Sequence, residues 1–377
     1  MTIGPLTRAV RLTPPGRGAI STVLVAGSRA EEIVDRLFAA ANARPLAAQP
    51  LDRILLGRFD GSEELIVCRR APQRIEVHCH GGHAAAEAVL RSLAAQGATI
   101  EDWPAAIEQD AGERLAAEAW QALAQARTLR AALVLLDQFH GALRRELEAI
   151  AQAAASGDSA AALARIDALS ARSRLGLHLV EPFRVVLAGK PNVGKSSLVN
   201  RLLGYGRAIT SPVPGTTRDI VTAVTALDGW PVELADTAGL HASTSELENQ
   251  GILRARSEID RADLVIFVHD ASEGPAASSD VLPPGRTKED ALIVINKADL
   301  VPPLERRGPC ERYVSAVSGE GIERMSAEIS RRLVPSVQPE ESGVPFLERH
   351  VQALARARQL VAGGARLSVA EWLALLA

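Results

Sequence analysis

The sequence predicts a multidomain chain: a small α+β domain, a helical segment, an α/β domain with a mostly parallel sheet, and a closing helical stretch that completes the helical domain around the α/β insertion. Three observations carry this. Residues 1–112 alternate short β-branched runs with Ala-rich stretches. From Glu113 the pattern turns to long Ala/Leu/Arg/Glu segments. Beyond residue 181 compact apolar runs recur with helical stretches between them, as strands buried on both faces require.

In residues 1–112, Ala19–Val25, Glu64–Cys68 and Arg74–His78 read as strands, and Ala30–Ala40 and Ala84–Gln96 as helices. In the first helical part, 113–180, apolar residues fall mostly three to five apart (Leu115, Trp120, Leu123; then Leu129, Leu133, Leu136), which predicts a helical domain. Ser156, Gly157 and Asp158 predict a turn between two of its helices. Within 181–335 the strands are Phe183–Ala188, Val232–Ala235, Leu264–Val268 and Leu292–Ile295. A Pro/Glu/Ser-rich linker, Pro335–Gly343, leads to the last helical part, 344–377, which is short.

Composition narrows the class. With 47% hydrophobic and 23% charged residues the chain suits a soluble globular protein. Its net charge of −3 supplies no global basic field, so a nucleic-acid partner needs a local patch. Arg69-Arg70 and Arg144-Arg145 are the candidates, against the plainer reading of solvated ends. Three scattered cysteines, Cys68, Cys79 and Cys310, suit a reducing compartment. No apolar run reaches eighteen residues and the start has no export-type apolar region, so a cytoplasmic protein without a membrane partner is expected.

The chemistry concentrates after the first strand of the α/β domain. Gly189-Lys190-Pro191-Asn192-Val193-Gly194-Lys195-Ser196 fits G-x-x-x-x-G-K-[ST] and lies between a strand and a helix. Its glycines let successive N–H groups of Asn192 to Ser197 turn inward on phosphate, and the helix N-terminus adds positive charge. Lys195 is placed to bridge β- and γ-phosphates, and Ser196 to offer its hydroxyl to Mg²⁺. Asp236-Thr237-Ala238-Gly239 follows a strand, so Asp236 reaches Mg²⁺ through water and the Gly239 N–H meets the γ-phosphate. Between them, Pro214–Asp219 reads as a switch loop whose Thr217 gives Mg²⁺ a second hydroxyl. Asn296-Lys297-Ala298-Asp299 selects the base: Asp299 accepts from guanine N1–H and the exocyclic amine, which adenine cannot offer there. Ser315-Ala316-Val317 supplies a backbone N–H for guanine O6. Taken in order these motifs predict a P-loop GTPase domain with GTP and Mg²⁺ as ligands.

Beyond that stretch, Pro14–Gly18, Glu76–Gly82, Gly141-Ala142-Leu143 and Arg349-His350 give the chain landmarks that resemble the MnmE (TrmE) family of tRNA modification GTPases, within the TrmE-Era-EngA group. The resemblance implies hydrolysis without an arginine finger, activated by K⁺ when the GTPase domains of a homodimer meet across their nucleotide faces. It assigns the K⁺ shell to Asn192, to the carbonyls of a loop containing Ser211 and Val213, and to Thr216. With Leu240 unable to orient water, it assigns that task to Glu248, whose plainer reading is a solvated carboxylate. It further implies a flavoprotein partner and tRNA modified at the wobble uridine, with folate held in the first domain.

Here the sequence departs from the family. Leu24 stands where the resemblance calls for arginine, 98–112 offers no lysine, and the terminal F-C-I-G-K is absent; only Glu76 matches a folate contact. These departures predict loss of folate chemistry and make a second function the alternative: a nucleotide-controlled interaction module on RNA or a ribosomal particle. A metal site at His78, Cys79, His80 and His83 is disfavoured because alternation along a strand turns Cys79 away from both flanking histidines.

Overall fold

The computed structural model describes residues 7–14, 18–110, 112–205, 222–236, 257–273, 291–306, 312–335 and 341–376. The chain divides by internal contacts into two compact units, Met1–Ala117 and Glu118–Ala377. Among the described residues no helix is long and apolar enough to cross a membrane.

In the first unit, β1 (Arg8–Arg11), β2 (Ile20–Ala26), β3 (Phe38–Ala40), β4 (Ile54–Phe59), β5 (Glu63–Ala71), β6 (Arg74–His80) and β7 (Thr99–Glu101) form one sheet ordered β3-β4-β5-β6-β2-β1-β7. Alternate residues, among them Val23, Val25, Leu65, Val67, Ile75 and Val77, share a buried cluster with Ile33 and Val34 of α1 (Ala30–Leu37) and Val89 and Leu93 of α2 (His83–Ala95). That period of two is what one helix-covered sheet face demands. The helix expected over Ala30–Ala40 ends at Leu37, and the chain turns directly into β3. Gly57 explains why: a Cβ there would lie 2.6 Å from the Phe38 ring and 2.4 Å from the Ala39 carbonyl oxygen. The edge strand closes on β4 because residue 57 has no side chain. Helix α3 (Trp103–Asp110) follows β7.

Helix α4 (Arg114–Gln125) enters the second unit, which continues with α5 (Leu129–Phe139), α6 (Ala142–Ala155), α7 (Ser159–Ser170) and α8 (Ser173–Leu177). The expected turn at residues 156–158 is present, with Gly157 at φ 84° and the Asp158 side chain accepting from Ala161 N–H to cap α7. Thr128 caps α5 in the same way. The helix is present as expected, but the apolar residues that mark its spacing are not all on its buried face. Leu129 and Leu133 are 76% and 54% exposed, while Ala131, Leu135 and Gln138 are buried. The covering element is the chain that returns after the α/β part: Gln138 Nε2 donates to Ser342 O at 3.1 Å and its Oε1 accepts from Val344 N–H at 3.0 Å. A polar residue thus marks the buried side.

The α/β part consists of β8 (Phe183–Ala188), α9 (Lys195–Tyr205), β9 (Thr222–Leu227), β10 (Trp230–Asp236), β11 (Leu264–Asp270), β12 (Ala291–Asn296) and α10 (Ile322–Leu333). Its sheet is ordered β12-β11-β8-β10-β9, parallel except for β9 against β10. Val185, Val186, Val232, Leu234, Val265 and Ile266 are buried, as strands covered on both faces must be. The β9–β10 turn has Asp228 and Gly229 at positive φ, a hairpin geometry matched to strand twist. Arg130 of α5 grips it, donating to Asp228 O and Oδ2 at 2.8 and 2.9 Å with its guanidinium 4.6 Å from the Trp230 ring centre. Helices α11 (Glu348–Ala362) and α12 (Val369–Leu376) then pack on α7 and α6 respectively.

Candidate nucleotide site

Because β8, β10, β11 and β12 run parallel, their carboxyl ends deliver Gly189, Asp236, Asp270 and Asn296 to one edge of the sheet, the usual ligand position in open α/β folds. The loop between β8 and α9 is threaded too tightly for side chains at two points. A Cβ on Gly189, at φ 144°, would lie 2.3 Å from Val268 O, and one on Gly194, at φ 92°, 2.3 Å from Asn296 Nδ2. Asn192 also adopts positive φ, at 63°. Lys195 is 3% exposed and donates from Nζ to Gly189 O and Lys190 O at 2.9 and 2.8 Å. Burial pushes its pKa down, so the ammonium gains from any anion brought into the loop.

Ser196 Oγ, at the start of α9, donates to Asp236 Oδ2 at the end of β10. Asp236 is buried and sits level with Leu187 of β8. A hydroxyl and a carboxylate beside the lysine are oxygen donors of the kind a hard divalent cation takes, so the set fits Mg²⁺. Ser197 is exposed on the first turn of α9, and Val193 is buried beneath the loop.

The base-reading residues converge as well. Asn296, 2% exposed, donates from Nδ2 to Val193 O at 2.9 Å and accepts at Oδ1 from Ala316 N–H at 3.1 Å. One amide therefore joins the phosphate loop to the loop of Ser315 and Ala316. Lys297 adopts positive φ and donates to Asp270 Oδ2 at 2.5 Å. Asp299 is exposed, with Oδ1 accepting from Ser315 Oγ at 2.5 Å. Asp270 was not anticipated from the sequence, although it ends an apolar run as Asp236 does. Ser272 N–H and Oγ hold its other oxygen at 2.9 and 2.7 Å. Ser211, Val213, Thr216, Thr217, Gly239 and Glu248 lie outside the described residues.

In the first unit the Glu76 carboxylate is taken by Arg70 at 3.0 Å, with His78 Nε2 at 3.5 Å. Its cross-strand neighbour is the buried Leu24. This alkyl wall and self-contained ion pair do not fit the folate site that the resemblance implies. His78 bonds Thr22, His80 bonds Glu63, His83 faces Arg11, and the Cys79 thiol donates to Ser21 O. The arginines read as a possible RNA patch are engaged locally: Arg69 with Glu31, Arg70 with Asp52 and Glu76, Arg144 with Glu148, and Arg145 with His140 O.

Residues 184–297 match the family described as 50S ribosome-binding GTPase. The chain is 32% identical over 384 residues to the tRNA modification GTPase MnmE of Symbiobacterium thermophilum, covering 87% of this chain and 83% of that one. Against the same enzyme of Thermus thermophilus it is 33% identical over 386 residues, covering 92% and 86%. The phosphate loop, the Ser196–Asp236 pair and the base loops stand within this shared length, and the chain belongs to the MnmE family of tRNA modification GTPases.

Proposed function

We propose that this GTP hydrolase is K⁺-activated and works in wobble-uridine modification of tRNA in the cytoplasm, as a homodimer whose GTPase domains pair, with a flavoprotein partner. The supporting observation is the meeting of Lys195, the Ser196–Asp236 pair and Asp299 around one sheet edge. In this reading the GTPase domain is inserted between the helical segments that precede β8 and follow α10.

The tasks then divide among the residues. The N–H groups from Asn192 to Ser197 cradle the phosphates, and Lys195 leaves the Gly189 and Lys190 carbonyls to bridge the β- and γ-phosphates. Ser196, Thr217 and Asp236 would hold Mg²⁺, which would supply positive charge beside the phosphates. Asn192, Ser211, Val213 and Thr216 would hold K⁺, which would supply positive charge where an arginine finger otherwise acts. Gly239 N–H bonds the γ-phosphate, and Glu248 orients the attacking water. Asn296, Lys297, Asp299, Ser315 and Ala316 select guanine.

The alternative, a switch that has lost the modification site, is favoured by the Arg70–Glu76 pair beside Leu24. No step is routed through folate. Nucleoside analysis of tRNA from a deletion strain decides: loss of wobble-uridine modification, restored by the wild-type gene and not by Lys195→Ala, supports the proposal. Unchanged wobble uridines in the deletion strain refute it in favour of the switch.

A further inference from the structure

The two loops that read the base are held together by a residue belonging to neither. Arg306 follows the short turn Pro303–Glu305 that leads away from Asp299, and its side chain is 13% exposed. Nη2 donates to Ala298 O at 2.8 Å and Nε to Val301 O at 3.2 Å. Nη1 and Nη2 also reach the two carboxylate oxygens of Glu320 at 2.5 and 3.1 Å. The guanidinium lies 5.6 Å from the Tyr313 ring centre, within cation–π range.

Two of these acceptors have a place in base recognition. Ala298 O lies in the turn between Lys297 and Asp299. Glu320 closes the other loop, because its carbonyl accepts from Ser315 N–H at 2.9 Å, and Ser315 Oγ in turn donates to Asp299 at 2.5 Å. Arg306 therefore ties the turn that carries Asp299 to the loop that Glu320 closes, alongside the direct Ser315–Asp299 bond. A guanidinium suits this place: its planar fork presents donors in several directions, whereas a lysine ammonium concentrates three on one atom. The pair is reinforced electrostatically, with the Arg306 pKa raised and that of Glu320 lowered by their shared hydrogen bonds.

We propose that Arg306, locked by Glu320, is a positioning residue for guanine recognition, setting the spacing of the Asn296–Asp299 and Ser315–Glu320 loops and so aiming Asp299 at the base. The proposal rests on the guanine reading of Asp299. Inosine triphosphate, which keeps N1–H but lacks the exocyclic amine, is the probe. Steady-state kinetics of the full chain are compared for GTP and ITP in wild type, Arg306→Lys and Glu320→Gln, with thermal midpoints recorded. Loss of charge-assisted bonds at the loop is expected to raise KM for GTP about tenfold in Arg306→Lys, and less in Glu320→Gln. KM for ITP changes much less, so the preference for GTP shrinks, while kcat at saturating GTP stays within about twofold because the phosphate loop is untouched. A GTP:ITP ratio that keeps its wild-type value in Arg306→Lys overturns the proposal, whether or not the midpoint falls. A wild-type protein with no preference between GTP and ITP overturns the guanine reading itself.

Discussion

Replacing Asn296 by Ala tests how the phosphate and base loops are coupled. The side-chain amide makes one donor bond to Val193 O at 2.9 Å and one acceptor bond from Ala316 N–H at 3.1 Å while only 2% exposed. A neutral bond of this kind contributes about 1 kcal/mol net, so losing both costs about 2 kcal/mol in the arrangement that binds nucleotide. At 1.4 kcal/mol per decade that raises Kd for GDP about 30-fold. Asn296→Asp is nearly isosteric yet places a carboxylate oxygen against Val193 O, so it is predicted to be at least as harmful as the truncation. Equilibrium titration with a fluorescent GDP analogue reads both variants. If either binds within about threefold of wild type, the bridge does not carry the coupling assigned to it.

The remaining predictions concern other parts of the chain. Burial alone would raise the Glu118 pKa, but hydrogen bonds from His350 and Arg349 hold it at about 2. Because the folded value lies below the ordinary 4.5, the stabilisation is present above about pH 4.5 and is lost as pH falls towards 2. Urea midpoints should therefore drop over that window by at most about 3 kcal/mol equivalent, and Glu118→Gln should flatten the drop. On the role proposed for Glu248, Glu248→Ala should lower GTP turnover about 100-fold with nucleotide affinity unchanged, by single-turnover kinetics and titration. Arg130→Ala removes an exposed ion pair and a ring contact at the β9–β10 turn, so thermal unfolding should show a loss of only about 1 kcal/mol.

The sequence was legible where short-range chemistry dictates structure. A loop that wraps phosphate with its own backbone needs closely spaced glycines, and Gly189 and Gly194 sit where any Cβ would clash. The four parallel strands of the α/β part were legible because burial on both faces leaves unbroken apolar runs such as Phe183–Ala188. Legibility failed where a distant segment decides. Leu129 and Leu133 have helical spacing, yet the chain returning at Ser342 and Val344 covers the Gln138 side instead. Strand β9 escaped notice because its Thr-Ala-Val-Thr-Ala-Leu pattern is weak alone and gains meaning from pairing with β10. Asp270 and Arg306 carry no motif; each acts through a partner on another loop, Lys297 for one and Glu320 for the other.

The central claim is tested most directly by the rate of GTP hydrolysis measured against K⁺ concentration at constant ionic strength, with Na⁺ as the balancing cation, over a range of protein concentrations. The account predicts turnover that rises with K⁺ and, per molecule, with protein concentration, as paired GTPase domains complete the site. Equal rates in the two salts, independent of protein concentration, would contradict both the K⁺ assignment at Asn192 and activation by dimerisation.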